Sequence, residues 1–218
     1  LGKRFPSFWI FYKDIIIEIK TREIIMPFLL FSFLLIIFIS FSLQNKEFSP
    51  FIFWLSFLFS GITSLSRYLL RETGGGFKGI LILPIERESI YTGKVFSLTF
   101  FLFISGILLY FLFTIFLNFP FSLKIFLNFL TILFLTSFSF SSLGIILSFL
   151  SFHTKAKEFF LPLLIIPLFI PPFISATSLT QKIILNEKLL SPHFFILLFF
   201  SIFYFFLNEL LFEEVLIE

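Results

Sequence analysis

The sequence predicts an all-α membrane protein, with six transmembrane helices following an N-terminal helix that lies along the interface. Of 218 residues, 58% are hydrophobic and only 13% charged, whereas an ordinary globular domain carries about a quarter charged residues. Six mostly apolar runs are each long enough to cross a hydrocarbon core of roughly 30 Å. Lys and Arg fall asymmetrically between the connecting segments. This composition excludes a soluble domain and a disordered chain. With no cysteine, it also excludes disulfides, thiolate metal ligands and a cysteine nucleophile.

The runs are 24–43, 51–69, 95–117, 125–152, 159–181 and 193–212. In the first, PFLLFSFLLIIFISFSL, 13 of 17 residues are Phe, Leu or Ile. At about −0.3 to −0.6 kcal/mol each, they outweigh three serines and a proline. No cleaved signal peptide is expected, because charges precede the first run and no A-x-A site follows it. Barrel strands alternate apolar with polar, whereas these runs are apolar on every side. With the N-terminus inside, twelve Lys and Arg fall on inner segments. Only Lys46, Lys124, Lys182 and Lys188 fall on outer ones. Both termini are therefore expected in the cytoplasm. The expected division is an interfacial helix over 1–23, one six-helix domain over 24–212 with a cytoplasmic loop at 70–94, and a tail at 213–218.

Residues 7–23, SFWIFYKDIIIEIKTRE, mix aromatic and aliphatic residues with Lys13, Asp14, Glu18, Lys20 and Arg22. Such a segment lies along the headgroup boundary rather than crossing it, either as a generic anchor or as an elbow helix with a specific role. The loop LRETGGGFKGILILPIERESIYTGK offers Gly74, Gly75, Gly76 and Gly79 for unusual backbone. Pro84 can open a short helix over IERESIY. A phosphate-binding loop fails here, since Gly93-Lys94 is followed by Val95 and Glu88 stands where the first Gly should be. The chain is not expected to hydrolyse ATP by itself.

In the fourth run Ser137, Ser141, Gly144 and Ser148 recur at spacings of four, three and four, giving one small helix face for close packing. Packing is preferred to a polar substrate path because serines satisfy themselves on backbone carbonyls. In the fifth, Pro162, Pro167, Pro171 and Pro172 each remove a backbone donor. The expectation is a kinked helix leading into an irregular or re-entrant segment near 170–192, with freed carbonyls covered by protein or water. Arg67, Asn208 and Glu209 lie near inner span ends, where structural pairing is preferred to a proton relay. His153 and His193 are too far apart for a metal site. No Ser-His-Asp set, HExxH or carboxylate pair is identifiable.

The segments KDIIIEIKTRE, SGITSLSRYLLRETGGGFKGILILPIERESIYTGK, LPLLIIPLFIPPFISAT and LLFEEVLIE together resemble the haem exporter protein B family, the CcmB-type permease of cytochrome c maturation. The likeness spans nearly the full length; the triple glycine at 74–76 departs from the more charged segment expected there. It implies a permease subunit of ABC-2 exporter type in the bacterial inner membrane, paired as a homodimer and energised by a separate CcmA-like ATPase. It also implies a CcmC-like haem-handling membrane protein and a CcmE-like periplasmic haem chaperone. Haem is then a handled substrate, ATP binds the partner, and no directly bound cofactor is expected. On this reading 84–92 forms a coupling helix resting in a groove of the ATPase, with Arg71, Glu72, Pro84, Glu86, Arg87 and Glu88 as the coupling residues. The alternatives are an ABC-2 permease exporting a lipid, drug or polysaccharide, a membrane-embedded enzyme, and a purely structural assembly subunit.

Overall fold

The computed structural model describes residues 6–42, 50–71, 86–151 and 157–215. Seven helices occur among them: α1 Pro6–Thr21, α2 Ile25–Ser42, α3 Pro50–Arg71, α4 Arg87–Leu117, α5 Leu123–Ser151, α6 Lys157–Ile184 and α7 Pro192–Val215. No strand occurs among the described residues. Long runs of Phe, Leu and Ile satisfy their backbone groups within the helix itself, the condition for entering lipid.

Non-glycine residues in the left-handed region mark three helix ends. Asn118 (φ 51°) caps α4 by donating its N–H to the Phe113 carbonyl, and Asn186 (φ 59°) follows α6. Asn tolerates this conformation through its short polar side chain. Arg22 (φ 56°) turns the chain between α1 and α2, which meet at 58°. Its N–H donates to the Glu18 carbonyl at 2.7 Å. The Glu18 carboxylate then accepts from the Ile24 and Ile25 N–H groups at 2.7 and 2.9 Å. A carboxylate at a helix N-terminus meets both orphan donors and the positive end of the dipole.

Helix α5 is the most buried of the apolar helices and packs against α4, α6, α7 and α3. Two glycines set its crossing with α3. A Cβ on Gly144 would lie 2.7 Å from Leu65, and one on Gly61 would lie 3.0 Å from Phe140. Each helix thus receives a large side chain from the other at a position without one. Ser137, Ser141 and Ser148 are buried on the same stripe of α5 as Gly144. Only Ser148 bonds back to its own helix, donating to the Gly144 carbonyl at 2.6 Å. Ser137 and Ser141 have no hydrogen-bond partner among the described residues, so backbone bonding does not account for them. Aromatic rings fill the opposite end of the bundle. Phe53 sits 5.1 Å from Trp54, Phe113 and Phe129, mostly edge to face, the arrangement that ring quadrupoles favour.

Four helices, α4 to α7, are long and apolar enough to cross a membrane; counting bent α1–α2 as one span makes five. The expected sixth crossing is not established. The reason lies in α3, whose 22 residues include Ser56, Ser60, Thr63, Ser64, Ser66 and Arg67. Several of these hydroxyls are turned into the bundle. Ser60 bonds with Ser32 of α2 at 2.7 Å, and Ser64 donates to the Ile24 carbonyl at 2.8 Å. A helix covered by its neighbours needs less apolarity than one facing lipid.

The proline-rich run departs from expectation. Helix α6 continues through Pro162, Pro167, Pro171 and Pro172 to Ile184, and the irregular stretch is confined to 185–191. No re-entrant segment begins at 170. Pro172 has no N–H for the carbonyl four residues earlier, that of Leu168; the Tyr204 hydroxyl of α7 donates to it at 2.6 Å. Removing that hydroxyl with Tyr204→Phe should lower stability by about 0.5–1.5 kcal/mol, read as a small fall in the unfolding midpoint in detergent. An unchanged midpoint would mean that water covers Leu168 equally well.

Candidate functional site

The N-terminal turns of α4 carry a run of polar side chains, Arg87, Glu88, Ser89, Tyr91, Thr92 and Lys94. Helix α4 has 31 residues, about 46 Å at 1.5 Å per residue. It therefore outreaches a hydrocarbon core of about 30 Å, and its first turns project beyond it. Glu86 is the N-cap, but its carboxylate makes no capping bond. Glu88 in the first turn complements the helix dipole. Both carboxylate-bearing residues are exposed.

One turn further in, α1 crosses at close range. A Cβ on Gly93 would lie 2.7 Å from the Ser7 carbonyl oxygen and 2.9 Å from Ile10, so only glycine permits this approach. Thr92 donates to the Ser7 hydroxyl at 2.9 Å. Beside it, Lys94 is fully buried. Its ammonium donates to the Tyr68 hydroxyl of α3 at 3.0 Å and stands 4.0 Å from Asp14 Oδ2 of α1. The same ammonium lies 5.2 Å from the centroid of the Tyr68 ring, within cation–π range. Asp14 is also fully buried, and Lys13 approaches its other oxygen at 3.3 Å. Among the described residues no hydrogen-bond geometry is met at either Asp14 oxygen, and the charges of Lys94 and Lys13 stand nearest the carboxylate.

On the other side of α4, Tyr91 is buried against α5 and α7. Its hydroxyl donates to the Ser142 carbonyl at 3.3 Å, which also accepts from Asn208 Nδ2 at 3.1 Å. Its ring packs 5.8 Å from Phe205 and 5.4 Å from Phe212. Within two turns α4 is thus tied to α1, α3, α5 and α7. A groove of about 850 Å³ opens alongside, with Glu86, Ser89 and Ser7 at its edge and Phe8, Phe96 and Phe100 among its walls.

Helix α1 is inverted relative to a soluble amphipathic helix. The residues it buries are Ile10, Asp14 and Glu18, one stripe at a spacing of four, while Phe8, Trp9, Tyr12 and Ile19 are exposed.

Three sequence-derived residues are brought together here, Glu86, Arg87 and Glu88. They do not belong to a separate short helix over 84–92, because α4 starts at Arg87 and runs unbroken into the span. The side chain of Arg71 lies outside the described residues, as do Glu72 and Pro84. The packing stripe and the proline set sit elsewhere in the bundle. Sequence reasoning missed Tyr68 and Tyr91 and the contacts of Asp14, Gly93 and Lys94, whereas Asn208 makes the structural pairing preferred for it. The available signal was Asp14 and Glu18 at a spacing of four on a face shared with Ile10, a pattern that places acids beside an apolar contact. His153 is outside the described residues, and no metal-binding cluster of His, Cys, Asp or Glu occurs among them.

A helical bundle with several apolar helices of membrane-spanning length is a multi-pass membrane protein. A family model described as CcmB protein matches residues 6–211, nearly the whole chain, and the chain belongs to that family. It is thereby the permease component of the haem export system for cytochrome c maturation. Comparison with curated proteins found no match.

Proposed function

We propose that this permease serves haem delivery or release during cytochrome c maturation and takes its energy from a separate ATPase docked on the exposed end of α4. The observation that carries this reading is the convergence at that end: a push on Glu86, Arg87 and Glu88 acts on α1 through Gly93 and Lys94, on α3 through Tyr68, and on α5 and α7 through Tyr91. A long rigid helix transmits displacement to its packed neighbours as a unit. Arg71, Glu72 and Pro84 belong to the same proposed coupling set.

The proposed orientation places both termini in the cytoplasm of a bacterial inner membrane, on the strength of the twelve-to-four distribution of Lys and Arg. Six crossings satisfy that orientation, with α2 and α3 as the first two. Helix α1 then lies as an elbow along the cytoplasmic boundary, its exposed Trp9 and Tyr12 among the headgroups. The permease works as a homodimer beside a CcmA-like ATPase, a CcmC-like haem-handling protein and a CcmE-like chaperone, with haem as the handled substrate. The stripe of Ser137, Ser141, Gly144 and Ser148 packs the core, and the four prolines shape α6.

The double substitution Glu86→Ala/Arg87→Ala tests this role. The expected result is normal membrane insertion and persistent ATP hydrolysis by the purified complex, with c-type cytochromes falling to the level of a deletion strain. Normal cytochrome maturation together with normal stimulation of the ATPase would remove the coupling role from this end of α4.

A further inference from the structure

A second groove, of about 390 Å³, runs between α2 and α3 on the bundle's outer surface. Its wall is a stripe of Met26, Leu30 and Leu34, spaced by four on α2 and all exposed, Leu30 by 63% and Leu34 by 62%. That stripe extends about 12 Å along the helix, the reach of much of an acyl chain. Arg22 and Arg67 also line it. Arg22 occupies the elbow turn before α2, and Arg67 lies one turn from the end of antiparallel α3, so both belong to the same end of the groove. Both are exposed, and neither guanidinium makes a hydrogen bond or ion pair among the described residues. Glu23 lines the groove too; two guanidiniums against one carboxylate leave the rim net positive.

We infer that this groove holds an anionic phospholipid, its phosphate between Arg22 and Arg67 and one acyl chain along Met26, Leu30 and Leu34. The charge pattern selects the ligand. A guanidinium fork binds phosphate oxygens in two-point geometry, and an exposed apolar stripe in a membrane protein meets hydrocarbon rather than water. The elbow turn marks the level at which the amphipathic α1 gives way to the wholly apolar α2, so the arginines stand at headgroup depth. A lipid held there bridges the start of α2 and the end of α3, next to the Ser64–Ile24 bond that joins the same two helices. The inference does not depend on what the permease handles.

The test uses the full-length protein in bilayers, with Leu30→Trp as a fluorescent reporter on the stripe and the parent chain as background for Trp9 and Trp54. Brominated phosphatidylglycerol, phosphatidylethanolamine and phosphatidylcholine are compared as quenchers. The expected result is a preference for phosphatidylglycerol on the order of ten- to thirtyfold, as two basic side chains near the surface supply. Arg22→Gln/Arg67→Gln abolishes the preference while quenching by all three lipids persists. Millimolar inorganic phosphate does not displace the lipid. Equal quenching by the three lipids, or a preference that survives the double substitution, overturns the inference. Absence of quenching would show the stripe covered by protein, a further segment or a second copy, and would overturn it equally. Displacement by inorganic phosphate would reduce the site to a free-anion site.

Discussion

Replacing Lys94 with methionine should destabilise the protein by about 3–5 kcal/mol, the cost of leaving one member of a buried ion pair without its partner. Methionine preserves most of the volume and the unbranched stem, so a cavity is not the cause. The loss is the ammonium that Tyr68 and Asp14 face in a fully buried setting. Asp14 keeps Lys13, but that side chain is 41% exposed and screened by solvent. Asp14→Asn combined with Lys94→Met should recover much of the loss, because two neutral groups carry no uncompensated charge. Unfolding midpoints of the four proteins in one detergent measure the cycle. Additive losses in the double variant would mean that the two residues do not interact.

The second large effect falls on the adjacent residue. Gly93→Leu should detach the start of α1 from α4, since the first added carbon would already lie 2.7 Å from a backbone oxygen, which cannot rotate away. Overpacking costs about 1–3 kcal/mol where side chains yield, and a clash with backbone falls at the upper end. Ile10, buried against Gly93, provides the readout. The chain has no natural cysteine, so Ile10→Cys introduces a unique thiol. It should react slowly with a small alkylating reagent in the Gly93 protein and rapidly in the Gly93→Leu protein. Equal protection in both would mean that α1 is held by other contacts.

These two residues also mark how far the sequence can be read. Hydropathy located the apolar runs now seen as α2 and α4 to α7, because helix in lipid is a local solution that each segment reaches within itself. Hydropathy alone does not assign α3 as a span, since its Ser60 and Ser64 are answered by Ser32 and the Ile24 carbonyl on another helix. Local rules also overstated the proline run. Each proline does free a carbonyl, but Tyr204 lies 36 residues from Leu168, and no window on the sequence connects them.

The candidate site was half legible for the same reason. Glu86, Arg87 and Glu88 stood out as a charged cluster beside a span. In the sequence, Gly93 and Lys94 match a phosphate loop only in part and give no sign of their contacts. Their role depends on α1 returning across α4, with Asp14 eighty residues earlier in the chain. The burial of Asp14 and Glu18 ran against the usual inference that acids on an amphipathic helix face water. It follows once the aromatic face of α1 is taken outward and the acids are used to neutralise Lys94 and to cap α2.

A single thiol most directly tests whether an ATPase acts at the exposed end of α4. Glu88→Cys, carried by the otherwise cysteine-free chain, is treated in native membranes with a thiol-to-lysine cross-linker with and without ATP. The prediction is a cross-link to an ATP-hydrolysing subunit whose yield changes with nucleotide, and no reaction with an impermeant thiol reagent outside intact cells. Labelling from outside, with no ATPase attached, would contradict it.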